Sequence, residues 1–260
     1  MNGIAVSAAH QTISVVTAAH RPDPQHLAAA YRSLVDQQLP PMWQWQWVIH
    51  GDADDLTSLP DVVRDDPRVS IGFSRRRGGP GVARTTALAR AHGALIRTLD
   101  VDDMLVSDSL AAAIEILTVH PDVGWTTCPL LDLHPDGSHH AYDQEPPPGR
   151  SERRSLAASW SADPRAQRIH PSTLTLRREL VIALGGWMGL EVSEDQGLLL
   201  AADAVSPGYH LDRVGLIRRH HDQQMTRAPD FGADVAALRG LLAERAALLG
   251  AWTPGSPPPR

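Results

Sequence analysis

Two carboxylates separated by one residue follow an apolar stretch near the middle of the chain, in segment 99–103 (Leu-Asp-Val-Asp-Asp). Asp100 and Asp102, with Asp103 adjoining, place several carboxylate oxygens close together. Mg²⁺ and Mn²⁺ prefer oxygen ligands and are often completed by substrate phosphates, so one or two protein carboxylates suffice when a diphosphate is present. The spacing therefore indicates a site for a divalent cation and a phosphorylated ligand. A solvated acidic turn after a strand is the alternative.

A second acidic pair, Glu194 and Asp195, precedes the apolar residues of a predicted helix at 194–202. A carboxylate in a site can accept a proton from a substrate hydroxyl. Acidic residues in the first turn of a helix also stabilise the helix dipole without any catalytic role. The pair is thus a candidate general base or a simple helix start.

Two histidines, His220 and His221, follow the last predicted strand at 214–218. Neutral imidazole is an acceptable metal ligand, so either ring is a candidate partner for the acidic segment. His170 precedes a Pro-Ser-Thr sequence and is either a site residue or an ordinary loop histidine.

The elements that must position these residues alternate between strand and helix. Short runs rich in β-branched or apolar residues predict strands at 12–18, 43–49, 68–72 and 94–99. Apolar residues at helical spacing predict helices at 23–38 and 82–95. Such alternation predicts an α/β fold with a right-handed, mostly parallel central sheet, in which ligands bind at the carboxyl ends of the strands.

The second half of the chain predicts shorter elements and one long loop. The Pro-, Gly- and His-rich stretch 134–164 is expected to be a mobile loop, and such loops often contact substrates. The remaining predictions are helices at 107–117, 178–184 and 235–249, and strands at 123–131 and 172–176.

Composition narrows the classes of function. With 260 residues and 42% hydrophobic content the chain can bury a continuous core. A net charge of −6, with arginines scattered and no lysine, argues against a nucleic-acid partner. The single cysteine, Cys128, excludes an intramolecular disulfide. No sequence window approaches the roughly 20 apolar residues of a membrane span, and no signal peptide is evident, so we expect a cytoplasmic protein. A homodimer is left open.

The order of the motifs resembles the family 2 inverting glycosyltransferases, which share the GT-A fold, over about residues 12–226. The resemblance implies one GT-A-like domain at 12–228, with a nucleotide-sugar-binding half at 12–103 and an acceptor and catalytic half at 104–228. The residues that carry it are a Val-Val-Thr opening strand, an acidic loop after the second strand, Ala83-Arg84-Thr85, segment 99–103, Leu-Gly-Gly-Trp at 184–187, Ser-Glu-Asp at 193–195 and His-x-x-Gln-x-Thr at 221–226.

The rest of the chain is predicted to lie outside that domain. Residues 1–11 are expected to be a loose N-terminus, and 229–252 a helical extension. Residues 253–260, rich in Pro and Gly, are expected to be a disordered tail.

The same resemblance implies site roles. Asp102 and His221 would bind Mn²⁺ or Mg²⁺, with His220 as the alternative ligand. Asp195 would be the general base and Glu194 its support. His170 and Trp187 are acceptor-side candidates. The donor nucleotide sugar would contact Thr17, Ala18, His20, Asp52, Arg84, Asp100, Asp102 and Asp103.

Two departures from the family pattern bear on the donor. The usual paired aspartates align with His50 and Gly51 rather than Asp52, and Thr85 replaces an asparagine. A UDP-sugar is the default donor, and the acceptor is left open among small molecules, peptides and glycan precursors. Two alternatives remain: a non-catalytic sugar-nucleotide-binding module, and a Mg²⁺-dependent phosphohydrolase of the haloacid dehalogenase type.

Overall fold

The computed structural model describes residues 10–142, 145–156, 169–222, 224–227 (Thr226 by its backbone only) and 229–251. The predicted N-terminal segment up to residue 9, the predicted tail 253–260 and part of the predicted loop 134–164 lie outside the described residues.

The first half of the chain forms the strand–helix alternation that the sequence predicts. Strand β1 is buried along almost its whole length, as expected for a central strand covered on both faces. The carboxylate of Asp23 caps helix α1 by accepting the amides of Gln25 and His26 at 2.7 and 3.3 Å. The elements are β1 Gln11–Ala19, α1 Pro24–Val35, β2 Trp43–Asp52, α2 Asp61–Arg64, β3 Val69–Ser74, α3 Pro80–Ala87 and β4 Leu95–Thr98.

The second half departs more from expectation. The predicted strand 123–131 is two strands that enter different sheets; Pro129, which has no amide hydrogen, lies between them. The prediction of a loop at 134–164 was wrong in part, because the segment contains strands β8 and β9. The elements are β5 Met104–Leu105, α4 Ser109–Val119, β6 Trp125–Thr127, β7 Leu130–Leu133, β8 His139–Ala141, β9 Gly149–Ser151, a 3-10 helix Pro171–Thr173, β10 Thr175–Arg177, α5 Arg178–Ala183, α6 Glu194–Val205, β11 Gly208–His210, β12 Leu216–Arg219, a 3-10 helix Met225–Arg227 and α7 Phe231–Ala251.

The described strands form two sheets. The large one has the order β3-β2-β1-β4-β10-β6-β11-β9, and the small one β5-β12-β7-β8. In the large sheet the pairs among β3, β2, β1 and β4, and the pair β6–β11, are parallel; the others are antiparallel. Helices cover the sheet, so the predicted α/β class is confirmed, with a mixed sheet.

The topology brings the carboxyl ends of β1 and β4 together, since the two strands pair in parallel with Val16 opposite Thr98. Asp100 follows β4 at this edge. The small sheet continues from the same edge, because β12 pairs with both β5 and β7 and delivers the chain to His220 and His221. Ligands of α/β sheets bind at such an edge.

The terminal helix α7 packs against α6. Leu242 and Ala246 of α7 are buried against Leu200 and Ala204 of α6, and Arg245 donates hydrogen bonds to two backbone carbonyl groups at 2.9 and 3.1 Å. The predicted extension is therefore attached to the helix that begins at Glu194. No helix in the described part of the chain has the length and apolar character needed to cross a bilayer.

Candidate active site

A cavity of about 430 Å³ opens at the carboxyl ends of β1 and β4. Its volume lies within the range common for small-molecule sites. It gathers carboxylates from two distant parts of the chain, the segment after β4 and the start of α6. The acidic and basic residues that line it are Arg84, Asp100, Asp102, Asp103, His170, Glu194, Asp195, Arg218 and His220.

Arg84, on α3, lies between two of these carboxylates. One terminal nitrogen of its guanidinium contacts Asp100 Oδ1 at 2.5 Å and the other contacts Glu194 Oε1. The residue is only 5% exposed. The two carboxylates raise the pKa of Arg84 although burial alone would lower it, so the guanidinium stays charged. Arg84 thus connects the two acidic segments, and both of its terminal nitrogens are already engaged.

Asp100 is held from two sides. Its Oδ1 accepts from Arg84 and its Oδ2 accepts the Ser172 hydroxyl at 2.7 Å. Burial alone would raise the pKa of Asp100, but the charge of Arg84 and the Ser172 hydrogen bond lower it below the ordinary value. Asp100 is therefore an anion in a fixed orientation.

Glu194 and Asp195 begin α6 directly after Ser193, a non-glycine residue with a left-handed φ of 62°. Burial raises the pKa of Glu194 to about 7, with the charge of Asp195 acting in the same direction. Burial also raises the pKa of Asp195, while the nearby Arg84 charge opposes the shift. Asp195 lines the cavity and its carboxylate accepts the Gln196 amide at 2.6 Å. A partly shielded carboxylate with a raised pKa has the properties of a general base.

Asp102 and His221 form a second pair of predicted site residues that the structure brings into contact. His221 Nε2 lies 2.8 Å from Asp102 Oδ2, although 119 residues separate them in the chain. Gln224 fixes the turn that follows β12: its Oε1 accepts the His221 amide at 3.4 Å and its amide group donates to the Arg219 carbonyl at 2.6 Å.

His220, the alternative ligand, also lines the cavity but contacts a different carboxylate. Its Nε2 lies 3.0 Å from Asp132 Oδ1, and its ring stacks on His134 with centroids 4.9 Å apart. His221 is therefore the histidine that contacts the acidic segment.

The donor set suits a hard divalent cation bound together with a phosphorylated ligand. Among the described residues, no three His, Cys, Asp or Glu side chains converge on a metal position. Asp102 and His221 supply one carboxylate and one imidazole in contact. Mg²⁺ and Mn²⁺ commonly take few protein ligands and complete their shell with water and phosphate oxygens, so the pair fits such an ion.

Asp103 is buried, and its Oδ1 accepts the Arg219 amide at 3.0 Å. Burial, with Asp102 and Asp100 nearby, raises its pKa well above the ordinary value. Asp103 lines the cavity but also fixes the end of β12, and hence the position of His221.

The residues expected to contact the nucleotide differ in how deeply they are buried. Ala18 lines the cavity. Thr17 is completely buried: its hydroxyl donates to the Leu99 carbonyl at 2.7 Å and accepts the Trp47 indole N–H at 2.8 Å. The side chain of Thr17 therefore supports the strand ends instead of facing a ligand. His20 is exposed and its Nδ1 lies 2.7 Å from the Asp52 carbonyl oxygen.

Asp52 lies within β2, not in the acidic loop in which the sequence placed it. Its carboxylate accepts the amides of Gly78 and Gly79 at 2.7 and 3.0 Å. Gly79 has a φ of +84°, and a Cβ there would meet the Leu190 carbonyl at 3.1 Å. Asp52 thus holds the tight glycine turn that starts α3, the helix of Arg84.

The two acceptor-side candidates, His170 and Trp187, lie in different surroundings. His170 lines the cavity, and burial, reinforced by the charge of Arg218, lowers its pKa to about 4, so the ring is neutral at pH 7. Trp187 is 3% exposed and packs in the core with Leu88 and Leu198. The expected acceptor contact of Trp187 is therefore corrected: its ring supports the core.

Three residues that the sequence did not single out also shape the cavity. Ser172 orients Asp100. Arg218 makes a two-pronged ion pair with Asp132 at 2.6 and 2.9 Å and lies 5.3 Å from the centre of the Tyr142 ring. In the sequence, Ser172 lies close to His170 and Arg218 close to His221, whereas no predicted site residue lies close to Tyr142. Each contact joins residues distant in the chain.

Comparisons with known proteins support the fold. No protein-family model matches the chain. The uncharacterized protein y4gI of Sinorhizobium fredii is 33% identical over 117 residues, which cover 42% of this chain and 12% of that protein. The match therefore spans about an eighth of that relative's length.

The structure is similar to TarS of S. aureus. TarS 1–349 in complex with UDP-GlcNAc gives a TM-score of 0.70 at 16% identity, covering 93% of this chain and 71% of that one. The complex with UDP gives 0.67 at 16%, covering 93% and 70%. A further TarS structure gives 0.63 at 17%, covering 89% and 39%. At these identities the likeness shows the fold, and the expected GT-A-like α/β arrangement is confirmed.

Proposed function

We propose that this protein is an inverting glycosyltransferase that moves a sugar from a nucleotide-diphosphate sugar to an acceptor hydroxyl in one step, with Mn²⁺ or Mg²⁺. The observation that carries the proposal is the joining of two carboxylate centres in one cavity. Asp102 contacts His221, and Asp195 lies at the start of α6, with Arg84 between the two segments.

The donor is proposed to be a UDP-sugar. Support comes from the fold, which is shared with a protein whose structures hold UDP and UDP-GlcNAc. The nucleotide would enter beside Ala18, and Asp100 would face its ribose or sugar. Asp103 is assigned a mainly positioning role because its carboxylate holds the β12 backbone.

Asp102 and His221 would hold the metal ion, which when bound offsets the negative charge that develops on the departing diphosphate. Asp195 would accept the proton of the acceptor hydroxyl as the acceptor oxygen bonds to the anomeric carbon and the bond to the diphosphate breaks. The raised pKa of Asp195 makes it a stronger proton acceptor than an ordinary carboxylate. Arg84 would fix Glu194, and with it the start of α6.

The phosphohydrolase alternative would require Asp100, the first carboxylate of the motif, as a nucleophile. That role fits poorly because both oxygens of Asp100 are engaged, one by Arg84 and one by Ser172. Measurements of donor binding and of turnover distinguish a non-catalytic sugar-nucleotide-binding module from a glycosyltransferase.

The test is a panel of nucleotide sugars incubated with the protein and Mn²⁺, with donor hydrolysis or transfer followed by mass spectrometry. Asp195→Asn should abolish turnover while retaining donor binding by calorimetry, whereas Asp102→Asn should weaken both. NMR of the product should show the inverted anomer. Donor binding without turnover in the wild type would favour the binding module, and full activity of both variants would overturn the proposal.

A further inference from the structure

The terminal helix α7 carries one apolar stripe along its length. Residues at helical spacing form it: Phe231, Val235, Leu238, Leu242, Ala246 and Leu249. The C-terminal part packs on α6 through Leu242 and Ala246. Arg245 anchors that part further by its hydrogen bonds to the Gly197 and Leu184 carbonyl groups.

The N-terminal part of the same stripe lines the candidate active-site cavity. Phe231 and Val235 line it, together with Met225 from the preceding 3-10 helix. Neither Phe231 nor Val235 belongs to an apolar cluster of the described core, and Met225 is 47% exposed. These three apolar side chains therefore face cavity space in place of protein.

The charges of the cavity argue against an anionic occupant on this side. Both arginines that line it are neutralised: Arg84 by Asp100 and Glu194, and Arg218 by Asp132. His170 is uncharged at neutral pH. His220, the remaining basic residue of the described lining, contacts Asp132. Since Asp195 also lines the cavity, a negatively charged acceptor would meet its carboxylate without an unpaired cationic side chain among the described lining residues.

We propose that the acceptor is an uncharged hydroxyl compound bearing an aryl or alkyl group, which packs beneath Met225, Phe231 and Val235 while its hydroxyl reaches Asp195. This inference rests on the proposed function for the role of Asp195. Tyr142 and Pro171 also line the cavity, and their faces accept apolar or ring-shaped groups. Polyols and free sugars, which lack an aryl or alkyl group, would leave Met225, Phe231 and Val235 in contact with water.

The experiment compares two probes that share every sugar hydroxyl and differ only in the aglycone, phenyl β-D-glucoside and methyl β-D-glucoside. Binding to the full chain is measured by calorimetry with Mn²⁺ and UDP present. Burial of even part of the ring should make the phenyl compound bind at least about tenfold more tightly, since two buried methylene equivalents, at roughly a factor of four each, already exceed that ratio. The ratio should fall towards one in the double variant Phe231→Ala/Val235→Ala.

Leu241→Ala is the matched control, because Leu241 is an exposed aliphatic residue of the same helix outside the cavity; it should keep the ratio. Alanine favours helix, so circular dichroism should show α7 intact in each variant. Equal binding of the two probes, no binding of either, or a ratio that survives the double variant would overturn the inference.

Hydrolysis of a nucleotide sugar is measured in parallel to separate the two proposals. Hydrolysis without phenyl preference removes only the acceptor inference. Phenyl preference without donor binding or hydrolysis removes the proposed function.

Discussion

Arg84 and Asp100 are joined at 2.5 Å inside a cavity wall, and the same guanidinium also holds Glu194. An arginine in this position was expected to contact the donor. Its terminal nitrogens instead bind two protein carboxylates. Asp100 precedes the proposed metal ligand Asp102, and Glu194 precedes the proposed base Asp195. Arg84 is therefore best described as a positioning residue.

Replacement of Arg84 by glutamine should strongly destabilise the protein. The buried Glu194 and the partly buried Asp100 would lose their shared cation, and breaking a buried ion pair from one side typically costs about 3–5 kcal/mol. Urea unfolding measures the loss. Arg213→Gln is the control, because the Arg213 side chain is 53% exposed and its ion pairs are long at 3.5 Å; it should unfold like the wild type.

The pH dependence of kcat/KM should report Asp195. A base must be deprotonated, and because burial raises the pKa of Asp195, activity should rise with pH above the ordinary carboxyl range. The Arg84 charge opposes that shift, so Arg84→Gln should move the acid limb to higher pH, whereas Arg84→Lys, which keeps a cation, should move it less. An acid limb unchanged in Arg84→Gln would contradict the role of Asp195.

Metal affinity should distinguish the two adjacent histidines. His221→Ala removes the ring in contact with Asp102 and should weaken Mn²⁺ binding by on the order of tenfold or more. His220→Ala removes a ring that faces Asp132 and should have a much smaller effect. Electron paramagnetic resonance of Mn²⁺ titrations reads binding without turnover. The reverse order of effects would assign the ligand to His220.

Asp52 should contribute to folding more than to the choice of nucleotide base. Asp52→Ala leaves the Gly78 and Gly79 amides without their acceptor, which should cost about 1–3 kcal/mol in the free energy of unfolding. Asp55→Ala, in the exposed loop that follows, should cost much less. Altered preference among nucleotide sugars in Asp52→Asn with unchanged stability would instead favour a base-binding role.

Local patterns predict the elements of the first half well. The strands β1, β2 and β4 are buried runs of β-branched and apolar residues, and the turn to Asp100 follows directly. His221, the histidine that motif spacing selected, contacts Asp102, and its role as a metal ligand stays a prediction.

Long-range packing explains the differences. The residues around Trp187 in the sequence suggested that its side chain was available for an acceptor. They give no sign of its contact with the α3 residue Thr85, whose hydroxyl donates to the Trp187 carbonyl at 2.9 Å. Ser172 and Asp100 are 72 residues apart. Asp52 resembled a loop residue because β2 extends past its apolar run, paired to β3 as far as Ser74.

The two central contacts join residues that are synthesised far apart, 119 positions for Asp102 with His221 and 110 for Arg84 with Glu194. A nascent chain emerging from the ribosome therefore holds the acidic segment long before it has the partners that organise it. Until residue 221 is made, Asp102 lacks its histidine. Fragments that end earlier, whether from interrupted translation or from proteolysis, would retain the early strands but lack this pair.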